Sequence, residues 1–316
     1  MIRIFSYSQT SSRMETPSIA DLPQHLSDKD RTIWVDLEAP DEEEVGVLGG
    51  IFGFHVLAAE DSIQGHYLPK IDFYDTYVFV VLHAVDLPEL EQGFQSIEVS
   101  FFLGERFLVT HHAKQVKGIF DARGQVAKNP GSLLRSTDWL LHHIVDAMTD
   151  HYETALSSFE ARISQIEQTR DEFVAFCALK TELSHLRRLG RLQQAVIERL
   201  AQENRPWILK AHHLYFQNIH AHMVRVVQTA DFYEDRLEAA VLSQEAYERA
   251  QQTRSFRRLV LINTVFLPLF FLALLIDVDL IEQLELSPQI NLLLGLGVLA
   301  MASGGIVGFL KWKRWF

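Results

Sequence analysis

Leu259 to Ile276 reads LVLINTVFLPLFFLALLI, 18 residues without a charged side chain, and Ile290 to Leu310 reads INLLLGLGVLAMASGGIVGFL, 21 more. A helix needs about 20 apolar residues to cross about 30 Å of hydrocarbon, so both segments predict membrane spans. Their flanks set the orientation. Arg254, Arg257 and Arg258 precede the first segment, and Lys311, Lys313 and Arg314 follow the second. The connection 277–289, DVDLIEQLELSPQ, holds Asp277, Asp279, Glu282 and Glu285 and no base. Basic flanks stay on the inner side. This predicts a multi-pass protein of the inner membrane with both termini cytoplasmic and the short loop outside. Trp312 and Trp315 suit the inner aromatic belt, and MIRIFSYSQT at the start has no apolar run of the kind a cleaved signal needs.

The rest of the chain is far more polar. Over its 316 residues the formal net charge is −12, with 48% hydrophobic and 22% charged side chains. That balance excludes disorder as the main state. It also argues against a nucleic-acid partner, which needs a cationic surface to displace counterions. The single cysteine, Cys177, excludes a disulfide framework within the chain and Cys-rich zinc modules; it reads as a small residue packed between helices.

Residues 1–130 hold the strand signals. Thr32 to Leu37 (TIWVDL) and Tyr77 to Leu82 (YVFVVL) are β-favouring runs. Val99 to Leu103 and Phe107 to Thr110 flank Gly104-Glu105-Arg106 as a hairpin. Asp41 is placed to cap a short helix, and Lys114 to Pro130 predicts another, ended by Pro130-Gly131. Residues 131–258 read as a helical region. Between Leu133 and Asn204 the only helix breaker is Gly190, which predicts two long antiparallel helices. Trp207 to Leu267 gives 61 residues without Gly or Pro, enough for one helix about 90 Å long running into the first span. Along it Phe216, Ile219, Met223, Val226, Ala230, Tyr233, Leu237 and Ala240 alternate spacings of three and four. Such a seam wants a partner helix. The preceding helical pair could supply it; the expectation is bundling between subunits. Residues 259–316 then form the membrane domain, with spans 259–276 and 290–310 and the outer loop 277–289.

No enzymatic constellation is present: there is no Gly-rich phosphate loop, no GxSxG and no HExxH. An enzyme or an ATP-driven pump is not expected. Asp138, His142 and Asp146, with Asp150, follow one another at i, i+4, and His212, His213, His220 and His222 lie further on. Two ligands at i, i+4 can share a zinc ion if a second helix completes the set. Asp138, His142, Asp146, His212 and His213 are therefore candidate metal ligands; a polar solvent face with incidental histidines is the other reading. Asp231, Glu234, Asp235, Glu238, Glu245 and Glu248, set against the one base Arg236, read either as a cation-concentrating strip or as a solvated helix face.

Three segments carry a resemblance. HVLAAEDSIQGHYLPKIDFYDTYVFVVL (His55 to Leu82), SIEVSFFLGERFLVTHH (Ser96 to His112) and TVFLPLFF within the first span look like successive motifs of the CorA-type divalent-cation transporter superfamily, which includes the ZntB zinc transporters. The resemblance implies a CorA-like funnel: an α+β cytoplasmic domain, a long helical stalk and two C-terminal transmembrane helices, assembled as a homo-oligomer, by family a pentamer. It implies transported divalent cations (Zn²⁺, Mg²⁺, Co²⁺ or Ni²⁺), no tightly bound cofactor, and membrane lipid and further copies of the chain as partners. The family's Gly-Met-Asn at the end of the first span is missing. Alignment on Phe266-Leu267-Pro268 puts Asp277, Val278 and Asp279 there, which is similar to the signature-less CmaX-like branch. The same alignment implies Phe256, Leu259 and Asn263 as pore-lining or gating positions, with Asp277, Asp279, Glu282 and Glu285 attracting cations at the outer mouth. Hydrated Mg²⁺ gives up its water reluctantly, and an amide ring can bind that shell where a carboxylate ring is a different device. The expected function is a divalent-cation channel or transporter favouring zinc over magnesium. The alternative is a membrane-anchored scaffold or regulator that keeps the fold without conducting.

Overall fold

The computed structural model describes residues 1–65, 68–86, 93–168, 173–202, 207–277 and 288–312, with side chains at only some positions beyond 260. Residues 1–240 form one compact unit and residues 241–316 a second.

The first unit is built on a seven-stranded sheet. Its strands are β1 (Ile2–Ser8), β2 (Met14–Glu15), β3 (Arg31–Glu38), β4 (Lys70–Phe73), β5 (Tyr77–Val85), β6 (Ser96–Gly104) and β7 (Phe107–His112). They lie in the order β2-β1-β3-β7-β6-β5-β4. Every neighbouring pair is antiparallel except β3 and β7, which run parallel with Ile33 opposite Phe107 and Glu38 opposite His112. The two expected strand runs are β3 and β5. The hairpin forms as read, with Leu103 opposite Leu108 and Glu105-Arg106 as its loop. Gly104 is required there by space: a Cβ would fall on the Phe107 ring.

Side chains alternate across a strand, and both faces are covered. Ile33, Val35, Leu37, Phe79, Val81 and Phe102 point to one face. They pack under α1 (Leu22–Ser27), α2 (Glu42–Gly50) and α3 (Val56–Gln64), through Leu22, Val47, Leu48 and Ala58. Asp41 does cap α2: its carboxylate accepts from the Glu44 amide at 2.8 Å, and Glu44 reaches back to the Asp41 amide at 3.2 Å. This reciprocal box satisfies two of the amides a helix start leaves free. Gly65, at φ 81°, ends α3 in a conformation only glycine adopts without strain.

Trp34, Val78, Val80, Leu82, Val99 and Phe101 point to the other face, under the remaining helices. These are α4 (Lys117–Lys128), α5 (Pro130–Leu133), α6 (Thr137–Gln168), α7 (Phe173–Gln202) and the first part of α8 (His213–Asp277). Pro130-Gly131 separates α4 from α5 and opens the second helix, where the missing N–H of proline costs nothing. The long helix starts six residues later than the sequence suggests: Trp207 and Ile208 are buried ahead of it, and Lys210–His212 makes a 3-10 turn into it.

Cross-links show how the long helices run. Arg162 grips Glu182 at 2.6 and 2.8 Å and Gln193 meets Tyr152 at 2.9 Å, so α6 and α7 are antiparallel. Asp138 meets His212 and Glu167 meets Arg236, so α6 and α8 are parallel here. This arrangement corrects the expected partner of the seam. Phe216, Ile219, Met223, Val226, Ala230, Tyr233 and Leu237 are all buried within the chain, in the core that α6, α7 and the sheet share. A fully buried large apolar side chain contributes about 2 kcal/mol, and the seam spends it on its own subunit. Gly190 lets α7 approach closely, since a Cβ there would meet Val227 Cγ2 at 3.1 Å.

The acidic strip is corrected in its first half. Lys180 pairs with Glu238, Arg187 with Glu234 and Asp231, and Arg191 with Asp231. Three of the six acids of the strip, Asp231, Glu234 and Glu238, are met by bases of α7. Cys177 is exposed, where a packed position was expected.

In the second unit α8 continues to Asp277 and α9 covers Pro288–Trp312. Among the described residues no helix is long and apolar enough to cross a membrane. Both 259–276 and 290–310 are helical, and that they cross a membrane remains a reading of the sequence.

Candidate functional site

The positions implied as pore-lining sit on α8. Phe256 is 68% exposed and Leu259 64%, and Asn263 is exposed. Their spacing of three and four keeps them on one helix face. Arg254, Arg257 and Arg258 are exposed as well. Asp277 is the last residue of α8; Asp279, Glu282 and Glu285 lie outside the described residues. On α9, Ile290, Leu293, Gly297, Val298 and Met301 line a shallow apolar groove.

The candidate metal ligands are separated into a bonded pair and its neighbours. Asp138 is wholly buried in the first turn of α6. Its Oδ2 accepts from His212 Nδ1 and from the Leu209 amide, each at 2.8 Å, and its Oδ1 accepts from the Trp139 amide at 2.9 Å. His142 stacks on Trp139 at 5.2 Å and meets Phe216 edge-on. Burial pushes its imidazole below the usual histidine range, against the pull of Asp146. Nδ1 of His142 and Nε2 of His213 are buried without a hydrogen-bond partner. Asp146 lies one turn beyond His142 on α6. Among the described residues no group of three or more His, Cys, Asp or Glu could hold a metal ion. The Asp138–His212 pair fastens the start of α8 to the start of α6.

A second polar centre was not foreseen. Asp36, wholly buried on β3, accepts from Thr110 Oγ1 at 2.6 Å, His112 Nε2 at 3.1 Å and Arg123 Nη1 at 3.0 Å. Arg123 also binds Glu38 at 2.7 Å, and Arg3 binds Glu38 at 2.6 Å. Burial raises the Glu38 carboxyl, but the two guanidinium groups outweigh it and hold it below the usual range. His112 Nδ1 faces the Lys114 carbonyl at 2.6 Å. Both ring nitrogens of His112 therefore face acceptors. The signal was an aspartate inside the apolar run TIWVDL: a charge in a buried strand has to be paired.

A third centre ties β5 to two helices. Gln193 Oε1 accepts from the His83 amide at 2.6 Å, Gln193 Nε2 donates to Tyr152 Oη at 2.9 Å, and Tyr152 donates to the His83 carbonyl at 3.0 Å. Full burial pushes the Tyr152 hydroxyl well above its ordinary range. The three centres are fasteners: the first ties α6 to the turn before α8, the second ties β1, β3 and β7 to α4, and the third sets α6 and α7 on β5.

Comparison with known proteins adds the following. The model of the family described as CorA-like Mg2+ transporter protein matches residues 29–273. The cobalt/magnesium transport protein CorA of Thermotoga maritima is 24% identical over 324 residues, covering 99% of this chain and 92% of that protein. The zinc transport protein ZntB of Klebsiella pneumoniae is 24% identical, covering 92% of this chain and 90% of that one. The complete CorA magnesium transporter from Methanocaldococcus jannaschii superposes with a TM-score of 0.82 at 14% identity, over 100% of this chain and 99% of that one. The full-length CmaX protein does so with a TM-score of 0.77 at 16% identity, over 98% and 97%.

Proposed function

The chain belongs to the CorA-like Mg2+ transporter family, and on that premise we propose that it is a homo-oligomeric inner-membrane channel for divalent cations that favours zinc over magnesium. The observation that carries the reading is the extent of the family match. It runs from the sheet through α8 to residue 273 and ends just short of Asp277-Val278-Asp279. The positions 256, 259 and 263 fall inside the match; the place of the family signature falls outside it.

Two spans per chain cannot enclose water, so the first spans of several copies line the path, five by analogy with the family. Rings of Phe256 and Leu259 gate the inner end by excluding water when they close. Asn263 offers an amide inside the span, where polar side chains face protein or water rather than lipid. At the outer end Asp277 and Asp279 stand in place of an amide ring. Repeated around an axis, these carboxylates attract cations and bind those that shed water readily. Zn²⁺ takes oxygen and nitrogen ligands directly, whereas Mg²⁺ keeps its waters. With no nucleotide-binding loop, ions move down their gradient or with a co-transported ion.

The test is flux into proteoliposomes with Zn²⁺, Mg²⁺, Co²⁺ and Ni²⁺ offered singly. Zinc entering faster than magnesium is the expected result. Magnesium entering faster overturns the selectivity. No flux of any cation, with the chain inserted, favours the non-conducting scaffold.

A further inference from the structure

Arg254, Arg257 and Arg258 lie within five residues of α8, and all three are exposed. Among the described residues no carboxylate pairs with any of them. From Arg249 to Ile276 the sequence contains no Asp or Glu. In a chain of net charge −12, where Lys180, Arg187, Arg191 and Arg236 are tied to carboxylates, three exposed guanidinium groups within five residues are open to an anion from outside the chain.

Helix geometry says which way they point. At about 100° per residue, the three arginines centre about 180° around α8 from the line through Phe256, Leu259 and Asn263. If that line faces the axis of an oligomer, the arginines face outward. By sequence the same outward face continues as Leu261, Val265, Leu272 and Ile276, the composition a lipid-facing side requires. Depth agrees as well. Arg254 to Arg258 spans about 6 Å along the helix, immediately before the apolar segment begins at Leu259. A bilayer of about 40–45 Å total with a 30 Å core has headgroup layers of comparable thickness. The arginines therefore stand at the level of lipid phosphates. Guanidinium binds phosphate through a planar pair of N–H donors.

We propose that Arg254, Arg257 and Arg258 form a binding site for anionic phospholipid headgroups of the inner leaflet, one per subunit, on the outward face of α8. The site rests on the membrane reading given above. It makes anionic lipid a specific partner of the helix that carries the gate positions, so the lipid's hold on that helix bears directly on the gate.

The experiment uses the purified full chain, floated with vesicles of phosphatidylcholine alone and of phosphatidylcholine mixed with phosphatidylglycerol. Each sample is then extracted in detergent, and the retained lipid is measured by mass spectrometry. The retained phosphatidylglycerol-to-phosphatidylcholine ratio is expected to exceed that of the vesicle. It should fall about fivefold for each of Arg254→Gln, Arg257→Gln and Arg258→Gln, with Arg257→Lys falling less than Arg257→Gln. A triple Gln variant that floats equally well and retains the same ratio overturns the proposal while leaving the membrane reading intact. Displacement of phosphatidylglycerol by equimolar inorganic phosphate overturns it as well, in favour of a free-phosphate site. A chain that floats with neither vesicle overturns the membrane reading and the lipid site together.

Discussion

Asp138 and His212 are 74 positions apart, yet the carboxylate of the first takes the Nδ1–H of the second at 2.8 Å in a buried site. The first turn of α6 thereby holds the residue that precedes α8. Asp138 also accepts the Leu209 amide, so it secures the whole turn by which the chain enters its longest helix.

Asp138→Ala leaves the His212 imidazole and the Leu209 amide without their acceptor. A lost charge-assisted hydrogen bond in a buried site costs about 2–3 kcal/mol. Urea unfolding of the full chain in detergent should show that loss, with Asp138→Asn milder because one acceptor oxygen remains. Equal stability of Asp138→Ala and the natural protein would remove the fastening role.

The Asp36 centre predicts a ranking. Arg123→Ala strips Asp36 of its near guanidinium and leaves Arg3 at 3.8 Å. Breaking a buried pair on one side costs about 3–5 kcal/mol. Arg3, a third exposed, should cost about 1 kcal/mol or less when truncated. Thermal melts of the two alanine variants check the order.

His111 supplies a pH dependence. Burial, aided by the neighbouring His112, pushes its imidazole down to about 4. The unfolded chain holds that proton up to about pH 6.5. Between those values the unfolded state binds more protons, so stability falls as pH drops from about 6.5 towards about 4. The loss is on the order of 3 kcal/mol. His111→Phe should flatten that part of the pH–stability curve; an unchanged slope would mean that the imidazole charges in place.

At the outer mouth, Asp279→Asn should lower cation flux at low ionic strength and weaken discrimination of cations over anions. The effect should fade as salt shortens the Debye length, about 10 Å at 0.1 M. Asp277→Asn should do less if one of the two faces the axis. Unchanged flux in the double variant, at low and high salt, would take the acidic mouth off the ion path.

Most of the framework could be read from local pattern. TIWVDL, YVFVVL and the Gly104 hairpin announce β3, β5, β6 and β7 because buried strands are continuous apolar runs. The freedom from Gly and Pro after Leu133 announces the long helices. What stayed hidden depends on partners distant in sequence. β1, in IRIFSYS, alternates too weakly to stand out from a polar start. The seam from Phe216 to Leu237 shows that α8 needs a partner, but spacing does not say whose helix that is. The acids Asp231, Glu234 and Glu238 look open because Arg187, Arg191 and Lys180 lie 40 or more positions earlier. The metal reading of Asp138, His142, Asp146, His212 and His213 named both members of the buried pair, but spacing along a helix does not say that Asp138 and His212 meet each other directly.

The parallel junction of β3 with β7 has a consequence for synthesis. β2, β1 and β3 are joined by neighbours in sequence, and so are β4, β5, β6 and β7. Only the Ile33–Phe107 to Glu38–His112 register connects the two groups. The leading three strands can pair as soon as residue 38 leaves the ribosome, but they wait with one edge open until β7 follows. Long-range pairing of this kind is slow to close. The exposed edge of β3 is thus the point at which a nascent chain is most open to a wrong strand, and the emergence of His112 ends that interval.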